Sequence, residues 1–235
     1  MHIRPEVLPF LIASLLMGLL ILVSLRWRRK SWRKAVFSGI GMAVILCAYF
    51  LFFFRDPERM PPLDGRLVVS GADGTVASIT EVYEGTYLKT NCVRISVFLS
   101  LFDVHVNRAP MGGQATFLGY FPGKRYFTFS EKSSEFNQHN KILIEGDHTR
   151  CLVNQIVGPV CRRVVYWPDH ERPQQVRLGE RIGMMKFGSR LDMIFPQSDL
   201  YVIVKPGQRV WAGETVVGTI TQRFGRKEEI SHVDR

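Results

Sequence analysis

Two uninterrupted apolar runs open the chain. Val7 to Leu25 holds 19 residues without a charge, and Ala35 to Phe54 holds another 20. At about 1.5 Å per helical residue, each can cross a hydrocarbon layer about 30 Å thick. The pattern predicts two membrane helices folded as a hairpin over residues 1–54. A cleaved signal peptide is the competing reading of the first run, because Arg4 precedes it. That run exceeds the usual signal core of about 7–15 residues, and no A-x-A-like site follows it.

Beyond Phe54 the pattern changes at Arg55-Asp56-Pro57-Glu58-Arg59 and Pro61-Pro62, where charge and proline end the helix. Residues 55–235 then read as short β-branched runs between turns. Strands are predicted over Leu67–Val69, Thr75–Ile79, Val93–Leu99, Ile142–Ile144, Leu152–Val157, Val164–Trp167, Tyr201–Val204 and Thr215–Ile220. Arg94 to Leu99 alternates poorly, as a strand buried on both faces would. One helix is expected between Thr128 and Asn140, where glycine and proline are absent. The fold class is therefore mainly β with an N-terminal helical hairpin. The stretches Ser70–Val76 and Val204–Val216 resemble the glycine-punctuated hairpins of barrel-sandwich hybrid domains, with Gly207 and Gly213 as the turn residues.

Charge follows the same division. The chain carries +10, but residues 1–54, with seven basic residues and one acid, hold +6 of it. Six of those basic residues lie with Trp27 and Trp32 in the loop Arg26 to Lys34, which suits an anionic headgroup surface. Taken literally, the positive-inside tendency puts the β region across the membrane from the cytoplasm. A shallow hairpin in one leaflet keeps everything cytoplasmic, and the expected location is the cell membrane with that side favoured. No ordered basic and aromatic pattern argues for nucleic acid. The four cysteines, Cys47, Cys92, Cys151 and Cys161, show neither C-x-x-C pairing nor metal-ligand spacing with histidine, so no metal site is expected.

The candidate chemistry centres on Lys186-Phe187-Gly188-Ser189-Arg190. A serine after glycine can attack the glycine carbonyl if a base takes its proton and the backbone presents that carbonyl. Asp103-Val104-His105-Val106-Asn107-Arg108 offers His105 as the base, and the Ala72-Asp73-Gly74 turn offers Asp73 as a carboxylate. Each residue alone has an ordinary role, as a turn or as a hydrogen-bonded structural histidine. The combination, in order, is specific. From about Phe52 to Thr219 the chain resembles the short, bacterial and archaeal type of phosphatidylserine decarboxylase. The matching elements are Phe53 to Arg59, Ala72 to Gly74, Asp103 to Pro110, Gln155 to Gly158 with Arg162-Arg163, Gly179 to Gly183, Lys186 to Arg190, and the Pro206 to Thr215 hairpin. It departs from the family's usual Ser-Pro at Ser100-Leu101 and Ser70-Gly71, and from its alanine at Cys161.

The resemblance implies a proenzyme cut between Gly188 and Ser189 into a large chain 1–188 and a small chain 189–235, which stay associated. Ser189 then becomes a covalent pyruvoyl group, the electron sink for decarboxylating phosphatidylserine to phosphatidylethanolamine. It also implies a triad of Asp73, His105 and Ser189, with Asp73 fixing the tautomer of His105. Arg190 is a candidate for the substrate carboxylate or phosphate, with a barrel-mouth salt bridge as the alternative. Assembly into a homo-oligomer is compatible with it. A membrane-anchored, non-catalytic hybrid-barrel module is the competing reading, and it leaves His105 and the Gly188-Ser189 context without a purpose. A lipoyl or biotin carrier is disfavoured, because no lysine sits at the tip of a paired hairpin in the expected Met-Lys or Asp-Lys context.

Overall fold

The structure, a computed structural model, describes residues 2–159 and 164–221. Cys161, Arg162 and Arg163 lie outside the described residues, as does the chain beyond Thr221. Two long helices come first, α1 (Leu8–Trp27) and α2 (Trp32–Phe53), and a five-residue helix α3 (Lys132–Phe136) comes later. The strands are β1 (His2–Ile3), β2 (Arg55–Asp56), β3 (Leu67–Val69), β4 (Gly74–Glu84), β5 (Thr90–Leu99), β6 (Val106–Arg108), β7 (Gly113–Phe121) and β8 (His139–Glu145). They continue as β9 (Arg150–Val157), β10 (Val165–Tyr166), β11 (Gln174–Val176), β12 (Arg181–Met184), β13 (Ser189–Pro196), β14 (Leu200–Val202), β15 (Arg209–Val210) and β16 (Val216–Ile220). The chain is mainly β, as its pattern predicts.

Eight strands form one antiparallel sheet in the order β11-β7-β8-β9-β13-β5-β4-β15. Two three-stranded sheets, β10-β12-β6 and β14-β16-β3, complete the β region. Along β13, Leu191, Met193 and Phe195 face the main core beside Val97, Ile95 and Val153. All eight residues of β13 are buried, and so are Cys92 to Val97 of β5, because both strands are covered on both faces. The helix expected between Thr128 and Asn140 shrinks to α3, since His139 already pairs in β8. Tertiary pairing overrides local propensity there.

The hairpin helices approach closely at two glycines. A Cβ on Gly18 would stand 2.6 Å from the Gly39 carbonyl oxygen, so only a hydrogen fits. The helix ends that carry Phe10 and Phe50 meet, with ring centroids 5.0 Å apart, and the basic loop lies at the opposite end from the β region. That end is not a loose tether. Val7, Phe53, Phe54 and Met184 form a buried cluster against which Phe10, Phe50, Trp167 and Phe187 pack. β1 pairs with β2, and buried Asp56 faces Arg181 at 2.8 Å, Arg108 at 3.5 Å and Arg4 at 3.6 Å. Removing that carboxylate would take away the one anion the three arginines share, leaving Arg181 to Glu58, Arg4 to Glu6 and Arg108 to backbone carbonyls.

The turn into β4 needs glycine for a second reason. Gly74 has φ +154°, and a Cβ there would lie 2.1 Å from the Phe98 carbonyl oxygen across the ladder. Gly74→Ala is expected to destabilise the fold by about 1–3 kcal/mol, read as a lower melting temperature of the detergent-solubilised protein. An unchanged melting temperature would show that β4 retreats freely.

Candidate functional site

Ser189 is the first residue of β13, opposite Leu99 of β5 and Val157 of β9. It is held from both sides, and its buried Oγ has no hydrogen-bond partner among the described residues. The two residues before it are both left-handed, with φ +56° at Phe187 and +71° at Gly188. Glycine accepts that geometry at little cost, whereas phenylalanine does so only under constraint. The constraint is visible: the Phe187 ring stacks on Phe53 at 4.8 Å and meets Phe10 edge-on at 5.4 Å. A Cβ on Gly158 would come within 3.1 Å of the Gly188 carbonyl oxygen, so glycine at that position keeps the carbonyl uncrowded.

His105 lies in the connection from β5 to β6 and is fully buried. Its Nδ1 sits 2.9 Å from the Asp103 carbonyl oxygen. A carbonyl only accepts, so Nδ1 carries the proton and Nε2 holds the lone pair. Nε2 is buried without a partner among the described residues. Burial pushes the imidazole pKa down to about 4, against a smaller opposing pull from Asp103. The ring lies on Phe53 at 4.2 Å, and the His105 carbonyl accepts the Met185 N–H at 3.1 Å. His105 and the Lys186 to Arg190 segment are thus brought together across Phe53, the last residue of α2.

Asp73 is placed otherwise than expected. One carboxylate oxygen accepts the Ala212 N–H at 2.7 Å and the other takes Arg59 at 2.9 Å. Among the described residues no hydrogen bond joins Asp73 to His105, and the imidazole is oriented by a backbone carbonyl instead. Burial raises the pKa of Asp73, against the Ala212 N–H and Arg59. Asp103 and Arg55 act electrostatically on both Asp73 and His105, so the two belong to one charged neighbourhood. Asp103 itself accepts the Ser100 N–H at 2.8 Å and pairs with Arg209.

Arg190 follows Ser189 in a strand whose side chains alternate, so it projects from the opposite face of the sheet. There it is fully buried. Its Nε meets Asp192 at 3.0 Å, and its Nη2 meets Ser78 at 2.9 Å and Glu131 at 3.2 Å. Glu131 also takes Arg94 at 2.6 Å. These ion pairs form a network that ties the loop before α3 to β13.

Some neighbours of the site make contacts that the sequence does not signal. Phe53 opens the Phe53 to Arg59 element, but its contact with His105 does not follow from that motif. Asn107 belongs to the His105 motif, but its contacts do not follow from spacing: its Oδ1 accepts Gln155 at 2.9 Å, while its buried Nδ2 has no partner. Among the described residues no group of three or more His, Cys, Asp or Glu is placed to hold a metal ion.

A buried serine after two left-handed residues and a buried histidine at the base of an apolar hairpin define the class: a mainly β protein with two helices long and apolar enough to cross a membrane and a candidate site where they meet the sheet. The family model for phosphatidylserine decarboxylase matches residues 46–218. A phosphatidylserine decarboxylase proenzyme of Carboxydothermus hydrogenoformans is 43% identical over 183 residues, covering 77% of this chain and 84% of that protein. One of Syntrophus aciditrophicus is 38% identical over 221 residues, covering 92% and 97%. One of Symbiobacterium thermophilum is 39% identical over 190 residues, covering 80% and 84%. The chain belongs to the phosphatidylserine decarboxylase family, whose members are lyases.

The imidazole environment gives a direct test. Because the folded pKa of His105 lies below the ordinary 6.5, the unfolded state binds the extra proton first, and this group weakens folding as pH falls from 6.5 toward about 4. Nitrogen-15 histidine NMR of the uncut Ser189→Ala protein is expected to show His105 as the neutral Nδ1–H tautomer until pH approaches 4. Titration near 6.5 would contradict its burial.

Proposed function

We propose that this chain is a self-processing, pyruvoyl-dependent decarboxylase that converts phosphatidylserine to phosphatidylethanolamine and carbon dioxide at a membrane. The observation that carries this reading is Ser189: a buried hydroxyl without a partner, fixed at the head of a central strand, directly after two left-handed residues. Family membership supports the reaction class.

Maturation uses the chain's own groups. Nε2 of His105 takes the Ser189 hydroxyl proton as Oγ attacks the Gly188 carbonyl carbon. The Gly188–Ser189 C–N bond breaks as the C–O ester bond forms, and the freed amine is protonated. Removal of the Ser189 α-proton then expels the Gly188 carboxylate by elimination. Water replaces the remaining nitrogen, ammonia leaves, and residue 189 becomes a pyruvoyl group. The site fits a carbonyl group made in place, since neither the serine oxygen nor Nε2 is committed to another partner.

The pyruvoyl group supplies an electron sink for the pair left behind when carbon dioxide departs. Around it, His105 Nε2 holds or returns a proton, Phe53 and Phe187 keep water out, and the Asn107 amide offers an uncommitted donor. Asp73 holds Arg59 and the Ala212 turn beside the Asp103 and Arg55 charges that also act on His105. Arg190 is a positioning residue that fixes β13 from the far face of the sheet. Residues 1–54 anchor the catalytic region 55–235, and chains 1–188 and 189–235 remain associated.

Intact mass of the purified protein tests the reading. Two fragments divided at Gly188-Ser189, the smaller with a blocked N-terminus, are expected. Ser189→Ala should abolish cutting and decarboxylation together, and His105→Ala should stop or greatly slow cutting. A single uncut chain retaining Ser189 would favour the non-catalytic membrane module. Arg190→Gln is expected to lower thermal stability while leaving KM of the matured fraction unchanged. A raised KM at unchanged stability would return Arg190 to the substrate.

A further inference from the structure

The loop between β7 and β8 carries an exposed aromatic group that the reaction does not use. Phe127 and Phe129 stack at 5.4 Å with their rings 16° from parallel, and they are 63% and 68% exposed. Tyr126 and Phe136 are exposed beside them, in edge-to-face contact at 6.4 Å. Exposed apolar rings gathered in one loop mark a contact surface rather than the background of scattered apolar residues.

Three observations say what covers this loop. First, Thr128, between the two rings, is buried. A Cβ on Gly158 would touch its Cγ2 at 3.3 Å and the Gly188 carbonyl oxygen at 3.1 Å. One residue before Gly188, Phe187 packs on Phe10, Phe50 and Phe53 at the end of the hairpin that meets the β region. The loop is therefore continuous with the base of the apolar helices. Second, another exposed pair adjoins that base. The Phe102 carbonyl accepts Arg55 at 2.8 Å, the Arg55 guanidinium lies 3.8 Å over the Phe52 ring, and Leu101 and Phe102 are both exposed. Third, Lys124, Arg125 and Lys132 are exposed in the loop against one uncommitted acid, Glu135. Glu131 is already taken by Arg94 and Arg190.

We propose that the Lys124 to Phe136 loop is a second membrane contact, which seats its aromatic rings in the interface of an anionic bilayer next to the hairpin. The proposal rests on the reading of α1 and α2 as a membrane hairpin. Aromatic rings favour the headgroup boundary, and basic neighbours favour acidic lipid. Together with Leu101 and Phe102, the loop would hold the β region close to the lipid surface. Its anchor in the protein is the Glu131 bridge to Arg190, the residue after Ser189, so docking and the site share one strand.

The full chain, with an environment-sensitive fluorescent amino acid in place of Phe129, would be reconstituted into phosphatidylcholine vesicles containing phosphatidylglycerol. Lipids carrying a nitroxide near the headgroup, and others carrying it deep in the acyl chain to reach the middle of the bilayer, then serve as quenchers. Strong quenching is expected at position 129 and at Leu15 in α1, and none at Tyr83, which is exposed at the far end of β4. Quenching at Leu15 but not at 129 would overturn the loop contact and leave the hairpin standing. No quenching at either would overturn the hairpin reading itself. A probe at 129 shielded from water yet not quenched by lipid would also overturn the proposal, by showing a protein surface there. If the replacement at 129 prevents folding, Phe127 carries the probe with the same outcomes.

Discussion

The pairing of β13 between β5 and β9 is the constraint on which the rest depends. Ser189 heads a strand that is laddered on both sides, so its position does not depend on the peptide bond that precedes it. The later strands are as deeply woven: β15 pairs with β4, and β16 lies between β14 and β3. A chain cut before Ser189 would therefore keep its ladders, and a precursor could lose that bond without losing its fold. The strand pairing also concentrates strain. Backbone mobility is removed after Ser189, while Phe187 and Gly188 must bridge into it through left-handed conformations held by aromatic packing.

Two-sided burial also decides which side chains can share chemistry. Alternation along β13 sends Ser189 toward the core face and Arg190 to the other, so adjacent residues serve different layers. On the Ser189 side the controlling influence is desolvation: His105 lies against Phe53, loses its proton readily and is left with one lone pair without a partner. On the Arg190 side it is charge pairing, with Asp192, Glu131 and Arg94 offsetting the cost of buried ions. A neutral imidazole on one face and an ionic clamp on the other leave the strand with a buried hydroxyl at its head and little freedom along its length.

The sequence shows some of this and hides the rest for physical reasons. The apolar runs and the glycine-punctuated strands are legible because local periodicity and turn chemistry carry them. Strands β6, β12 and β13 are not, because their short or fully buried segments lack alternation, and β7 is not, because it is mostly half-buried and its register shifts at Gly119. Ser189, Gly188 and His105 stand out through residue type in motif order. The partner of His105 does not, since a backbone carbonyl leaves no mark in the sequence, and Asp73 turns instead to Arg59 and Ala212. The contact of Phe53 with His105 is hidden most completely. It depends on where α2 ends in space, which neither composition nor motif order reports.

That hidden contact changes what the hairpin is for. A detached anchor would need only length and hydrophobicity, yet here α2 ends with a ring touching both His105 and Phe187, and α1 contributes Phe10 to the same cluster. The polar side is tied as firmly, with Asp56 drawing arginines from the N-terminus, β6 and β12 to one buried carboxylate. The apolar helices thus form one wall of the site that desolvates the histidine. Since that desolvation holds the His105 pKa low, the apolar helices act on the candidate site through packing, and the boundary after Phe54, sharp in composition, is not a boundary in the site.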